Sequence, residues 1–128
     1  MLDHVGFTVS NFAKSLAFYR AALAPLDVTV LMQLSKDQTG GFEGAGLGRD
    51  GKPSLWLSGG EETTPPLHIA IAARTRAEVD AFHTAAMAAG ATDNGAPGIR
   101  EHYHPNYYGA FVLDPDGHNL EAVCHAPE

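Results

Sequence analysis

The stretch YYGAFVLDPDGHNLEAVC, residues 107–124, decides the fold. Apolar residues alternate with small or polar ones on both sides of the turn sequence D-P-D-G at 114–117, which predicts a β-hairpin. Glu121 falls in the middle of the second strand. A carboxylate there is either exposed on an edge strand or buried, and a buried unpaired charge costs several kcal/mol. If it is buried, the chain must supply a partner.

Composition limits the classes of ligand. The 128 residues predict one domain over 1–128, without a targeting peptide and without an apolar run long enough to cross a membrane. The net charge is −7 with only 8 Lys and Arg, which argues against nucleic acid and anionic lipid as partners. Cys124 is the one cysteine, so no intrachain disulfide forms and a reducing, cytoplasmic location is expected. A small molecule or a metal is the more natural ligand.

The rest of the chain predicts strands and helices in a repeated order. The first segment, residues 2–9, alternates as a strand, and residues 12–24 have the apolar period of a helix that Ser10 and Asn11 cap and Pro25 ends. A second strand and a capped helix follow the connector at 61–66. The remaining predicted strands of the first half are 28–34, 42–47 and 54–58, with turns at 36–41 and 49–52.

A shift of 64 positions superimposes the first half on the second. Matched positions include His4 with His68, Phe7 with Ile71, and Phe18 with Phe82. The match predicts an internal duplication of two βαβββ modules, module 1 at 1–60 and module 2 at 66–126. The predicted class is therefore α+β, with helices on one face of the sheets.

The opposite faces of the two sheets carry His4, His68 and Glu121. Two modules related by a pseudo-twofold axis would place these faces around a half-barrel cleft. Clefts of this kind are where small ligands bind.

Three motifs carry a resemblance to a known family: LDHVGFTV at 2–9, PLHIAI at 66–71 and FVLDPDGHNLE at 111–121. The chain resembles the vicinal oxygen chelate superfamily, which includes glyoxalase I, extradiol dioxygenases, fosfomycin-resistance enzymes and bleomycin-binding proteins. The resemblance covers nearly the whole chain. It implies the glyoxalase-like fold, with paired βαβββ modules around a metal-binding cleft.

The resemblance also implies a ligand set. Family members take metal ligands from the first and last strands of each module, which selects His4, His68 and Glu121. Strand parity matches Trp56 to the fourth position, and no neighbouring residue there is a ligand either. Two imidazoles and one carboxylate form the facial triad typical of Fe(II), so Fe(II) is favoured and Mn, Ni or Zn are alternatives.

Acid–base and cleft residues are expected just before the hairpin. The catalytic candidates are His102, His104 and Tyr108, while Trp56 and Tyr107 are expected to line the substrate cleft. The extradiol pattern has a tyrosine where this chain has Phe111, so Tyr107 or Tyr108 would have to supply the missing hydroxyl. The turn residue His118 is expected to be solvated. Residues 94–98 are expected to form a flexible lead-in, either a lid or only a connection.

The predicted function is a small metal-dependent enzyme, either a lyase or isomerase of the glyoxalase type or an extradiol-type dioxygenase. Its substrate would chelate the metal through two adjacent oxygens. The alternative is a metal-free small-molecule binding protein of the same fold, as in the antibiotic-binding members of the family. The resemblance further implies a homodimer.

Overall fold

The computed structural model describes residues 1–128 and contains two mixed four-stranded sheets. None of its helices is long and apolar enough to cross a membrane. The elements are β1 (Val5–Val9), α1 (Phe12–Leu23), a 3₁₀-helix (Ala24–Leu26), β2 (Thr29–Leu34), α2 (Lys36–Thr39), β3 (Gly44–Arg49), β4 (Lys52–Gly59), β5 (His68–Ala72), α3 (Arg76–Ala88), β6 (Thr92–Ile99), β7 (Tyr108–Leu113) and β8 (Asn119–Cys124).

The two βαβββ modules have the same topology, as the repeat predicts. The strand orders are β1-β4-β3-β2 and β5-β8-β7-β6, with the first strand of each module parallel to its last and the others antiparallel. Two local predictions are wrong. Residues 36–39 form the short helix α2 because Ser35 and Gln38 make a reciprocal capping box. Residues 94–98 belong to the bulged strand β6, paired with β7, and are no free lead-in.

Both long helices begin at the predicted caps. The side chain of Asn11 accepts from the backbone N–H of Lys14 at the start of α1, and Thr75 accepts from Glu78 at the start of α3. Pro25 lies in the 3₁₀ turn that follows α1. The buried faces of the two helices share one hydrophobic core with the sheets, including Tyr19, Leu23, Val79, Phe82 and Ala86.

The predicted hairpin is present, but its turn is not solvated. Asp114 accepts backbone hydrogen bonds from Asp116 and His118. His118 is only 2% exposed: its Nδ1 accepts from the N–H of Leu67 at 2.9 Å, and its ring packs edge-on against Phe7. The expectation of a solvated His118 is wrong because the turn of module 2 is packed against module 1.

Equivalent contacts join the modules at two places. Ser10, just past β1, donates its backbone N–H to the carboxylate of Asp116 in the β7–β8 turn. Arg49, just before the β3–β4 turn, donates a side-chain hydrogen bond to the carbonyl of Ala72 at the end of β5. Each hairpin turn lies beside the start of its own module's first strand, since Lys52 pairs with Asp3 and Asn119 with Leu67. The end of β1 is therefore near the start of β5, and the two strands run in opposite directions.

Candidate functional site

Glu121 is a fully buried carboxylate, 1% exposed, at the centre of β8. Its Oε1 accepts from Nε2 of His68 at 2.7 Å, and its Oε2 accepts from the hydroxyl of Tyr107. No lysine or arginine forms a salt bridge with it. The sequence left open whether Glu121 was buried and paired. The structure shows that it is both, with one imidazole and one phenol as partners.

Gly109 makes the Tyr107–Glu121 contact possible. A Cβ at Gly109 would lie 3.2 Å from both Oε2 of Glu121 and the ring of Tyr107, closer than side chains ordinarily pack. Burial and the hydrogen bond to Glu121 raise the pKa of the Tyr107 hydroxyl, while the charge of Arg100 opposes the rise. The phenol therefore stays protonated and keeps donating. Of the two candidate tyrosines, Tyr107 is the one whose hydroxyl reaches Glu121.

Tyr108 points away from this site because successive side chains of a strand alternate between faces. Its hydroxyl donates to Asp80 on α3 at 2.6 Å, and Arg76 lies over its ring. The hydrogen bond to Asp80 and partial burial raise the pKa of Tyr108. The structure does not bring Tyr108 to Glu121.

A layer of aromatic rings covers Tyr107. His104 and His125 bond to each other through Nε2 and Nδ1, and their ring centroids are 5.6 and 5.2 Å from that of Tyr107. His104 Nδ1 also accepts from the N–H of Asn106, which leaves the ring proton of neutral His104 on Nε2. His102 is one layer further out and packs at a tilt against Tyr103, which in turn packs on Tyr107.

Trp56 occupies the position in module 1 that Glu121 occupies in module 2. Trp56 is the Cα partner of Gly6, and Glu121 is the partner of Ala70, the residue 64 positions further on. The indole lies over Gly46, where a Cβ would come within 2.9 Å of the ring. It faces away from the helices, since Leu55 and Leu57 are buried on the helix side.

His4 lies apart from His68 and Glu121. It is exposed, and its Nδ1 is 2.7 Å from Asp3, whose pKa is lowered first by Lys52 and then by His4. Because β1 and β5 run in opposite directions, the two histidines lie at opposite ends of these strands, about 15 Å apart for a five-residue strand. No group of three or more His, Cys, Asp and Glu side chains is arranged to hold a metal. One chain brings together two of the three predicted ligands.

His68 and Glu121 nevertheless fit a divalent ion. Imidazole nitrogen and carboxylate oxygen suit Fe, Zn and Ni, and a buried carboxylate without a lysine or arginine partner favours a metal cation. Nε2 of His68 must carry no proton in order to ligate a metal. The ring is 55% exposed, so Nδ1 can then donate to water. Tyr107 would hold Oε2 while Oε1 faces the metal, as ligands are commonly oriented by neighbouring donors.

Two residues near this site were missed by the sequence analysis. His125 follows β8 with the strand parity of Glu121, and that parity was the only available signal. Arg100 follows β6, and its guanidinium carbon is 5.3 Å from the centroid of Phe111, the residue that pairs with Glu121. Nothing in the linear sequence indicated that Arg100 folds back over the sheet.

Comparisons with known proteins agree with this geometry. The model of the Glyoxalase/Bleomycin resistance protein/Dioxygenase superfamily matches residues 1–122. A glyoxalase/bleomycin resistance protein from Albidiferax ferrireducens T118 is 25% identical with a TM-score of 0.68, and the match covers 96% of this chain and 97% of that one. A glyoxylase/bleomycin resistance protein/dioxygenase domain from Frankia sp. EAN1pec is 21% identical with a TM-score of 0.72, covering 98% of both chains.

Glyoxalase I from Zea mays is 19% identical with a TM-score of 0.71, and the match covers 99% of this chain but 45% of the maize chain. A search among curated proteins gave no match. The family model covers nearly the whole length, and the fold, the duplication and the hairpin agree with it. The chain therefore belongs to the glyoxalase/bleomycin resistance protein/dioxygenase superfamily.

Proposed function

We propose that the protein is a metal-dependent enzyme of the glyoxalase or dioxygenase type, with a divalent ion held by His4, His68 and Glu121. The observation that supports this proposal is Glu121, buried without a lysine or arginine partner and bonded through both oxygens to His68 and Tyr107. Fe(II) is the favoured ion, with Mn, Ni or Zn as alternatives. Bound there, the ion would stabilise negative charge on the adjacent oxygens of a chelating substrate.

The third ligand in this proposal is His4 of the partner subunit. Within one chain His4 and His68 lie at opposite ends of their strands, but a twofold dimer can place β1 of one copy beside β5 of the other. Such a dimer would hold two sites and cover exposed apolar residues on the module 1 sheet and its flank, among them Met32 and Phe42. The homodimer is part of the proposal.

The chain's own residues have distinct roles. Tyr107 donates to Oε2 of Glu121 and so leaves Oε1 free to ligate. His104, on the layer above Tyr107, is the acid–base candidate nearest the site, while His102 lies further out and Tyr108 is on the other face. Trp56 replaces a fourth ligand, which leaves one more position open for substrate and offers a planar surface against it.

A metal-free binding protein is the second candidate. It is favoured by one observation: the imidazole of His68 already satisfies Glu121, and one chain gathers no three-ligand cluster. In that case the same face would bind an organic ligand without an ion.

Elemental analysis of untagged, anaerobically purified protein tests the proposal. We expect one metal per chain in the wild type, with loss in Glu121→Ala, His68→Ala and His4→Ala. His83→Ala is the matched control, because His83 pairs with Asp93 away from the site. Sedimentation should show a dimer. Wild-type protein that holds no stoichiometric metal after reconstitution would favour the binding protein.

A further inference from the structure

Arg100 lies on the same face as Glu121, and no salt bridge neutralises its positive charge. Its guanidinium carbon is 5.3 Å from the centroid of Phe111, and Phe111 pairs directly with Glu121. The Phe111 ring is also 6.2 Å from the ring of His68. The Phe111 ring is therefore a common neighbour of the Arg100 guanidinium and the His68 imidazole.

Backbone groups of β6 fix the position of the Arg100 guanidinium. Its NH2 donates to the carbonyl of Ala96 at 2.7 Å. A Cβ at Gly95 would lie 3.2 Å from NH2, and one at Gly98 would lie 3.1 Å from NH1, so both glycines make room for the guanidinium. Gly95 has φ +149°, a conformation that side-chain-bearing residues rarely adopt.

Arg100 forms no salt bridge, although the protein carries 15 acidic residues. Arg49, in contrast, donates hydrogen bonds to two backbone carbonyls, and Arg74 forms salt bridges with Glu78 and Asp27. On Arg100 one nitrogen anchors the group, while Nε and NH1 have no acceptor in the protein. A planar fork that is already positioned loses little freedom on binding an anion.

We infer that Arg100 binds a carboxylate of the substrate and so selects anionic substrates. This inference rests on the proposed function for the position of the chelating oxygens at His68 and Glu121. Because Arg100 and His68 share Phe111 as a neighbour, the expected substrates are compact acids, such as a dihydroxybenzoate, that carry the carboxylate and the chelating oxygens on one small frame. An arginine is suited to this because its donors match a carboxylate bidentately.

Calorimetric titration of the zinc-loaded protein tests the inference with paired probes. Catechol and 3,4-dihydroxybenzoate share the chelating oxygens and differ by the carboxylate. We expect wild type to bind the acid about tenfold more tightly, equivalent to about 1.4 kcal/mol. Arg100→Gln should lose this preference while keeping a donor for Ala96. Arg20→Gln should retain it, since Arg20 lines a groove on the helix side of module 1.

The outcomes separate this inference from the metal proposal. A preference that persists in Arg100→Gln, or that wild type lacks, overturns the role of Arg100. If the protein binds neither zinc nor catechol, the proposed function fails. In that case benzoate and benzyl alcohol, which lack adjacent ring oxygens, test the role of Arg100 separately. A preference for benzoate that depends on Arg100 supports the carboxylate site. The absence of any preference refutes it.

Discussion

Replacing Tyr107 with Phe removes one hydroxyl and leaves the ring in place to pack against His104 and His125. The hydroxyl is the only hydrogen-bond partner of Oε2 on Glu121, whose side chain is 1% exposed. Hydrogen bonds to charged groups contribute about 1.5–3 kcal/mol, and a buried acceptor left unpaired costs a comparable amount. We expect the free energy of unfolding to fall by about 2 kcal/mol.

Urea denaturation at neutral pH, followed by far-UV circular dichroism, measures this loss. With a slope of about 2 kcal/mol per molar urea, the midpoint should fall by about 1 M. Tyr103→Phe is the matched control, because Tyr103 is 58% exposed and its hydroxyl has no hydrogen bond. The control should change the midpoint by less than a quarter of that amount.

The reasoning fails if the two phenylalanine variants are equally stable. Equal stability would mean that water replaces the phenol at Oε2, so Glu121 would not depend on Tyr107. A loss in Tyr107→Phe that disappears on addition of zinc would have a different meaning. It would show that a cation compensates the carboxylate when the phenol is absent, as a metal site requires.

Two further predictions use the same site. Because burial and its hydrogen bond raise the pKa of Tyr107 above the unfolded value near 10, the unfolded chain loses this proton first. Stability should therefore fall as pH rises above about 10, and less steeply in Tyr107→Phe, as urea midpoints between pH 8 and 11 would show. Gly46→Ala places a Cβ 2.9 Å from the only tryptophan, so the fluorescence emission maximum of Trp56 should shift. Gly41→Ala is the control, because a Cβ there meets open space and should leave the emission unchanged. Equal emission spectra in the two variants would contradict the placement of the indole.

The fold was predictable because both the repeat and the hairpin can be seen in the linear sequence. A shift of 64 positions aligns strand with strand and helix with helix, and the turn at 114–117 fixes the register of β7 on β8. For His118 the prediction was wrong because a long-range contact decided. His118 is buried because the turn of one module packs on Phe7 of the other, and no pattern within the hairpin indicates that contact.

The candidate site was predictable only in part. The sequence did not show which side of the sheet some residues face, or how far the Arg100 side chain extends. His68 and Glu121 come from strands whose pairing the motifs specify. The choice between Tyr107 and Tyr108 depends on which residue enters β7 facing the sheet's open side, a difference of one position. Arg100 lies on the segment after β6, where its side chain reaches Phe111 through glycines whose conformations a sequence does not reveal.

The two modules diverge at the equivalent positions of Glu121 and Trp56. At equivalent positions, module 2 has Glu121 beneath Tyr107, and module 1 has Trp56 over Gly46. On this face module 2 therefore has a carboxylate and a phenol where module 1 has an indole. Facing the module 1 sheet of a second copy, the module 2 site would meet one histidine and one indole. That pairing would add a single ligand and an apolar wall, which is the arrangement expected for a planar, chelating acid held between a metal, Trp56 and Arg100.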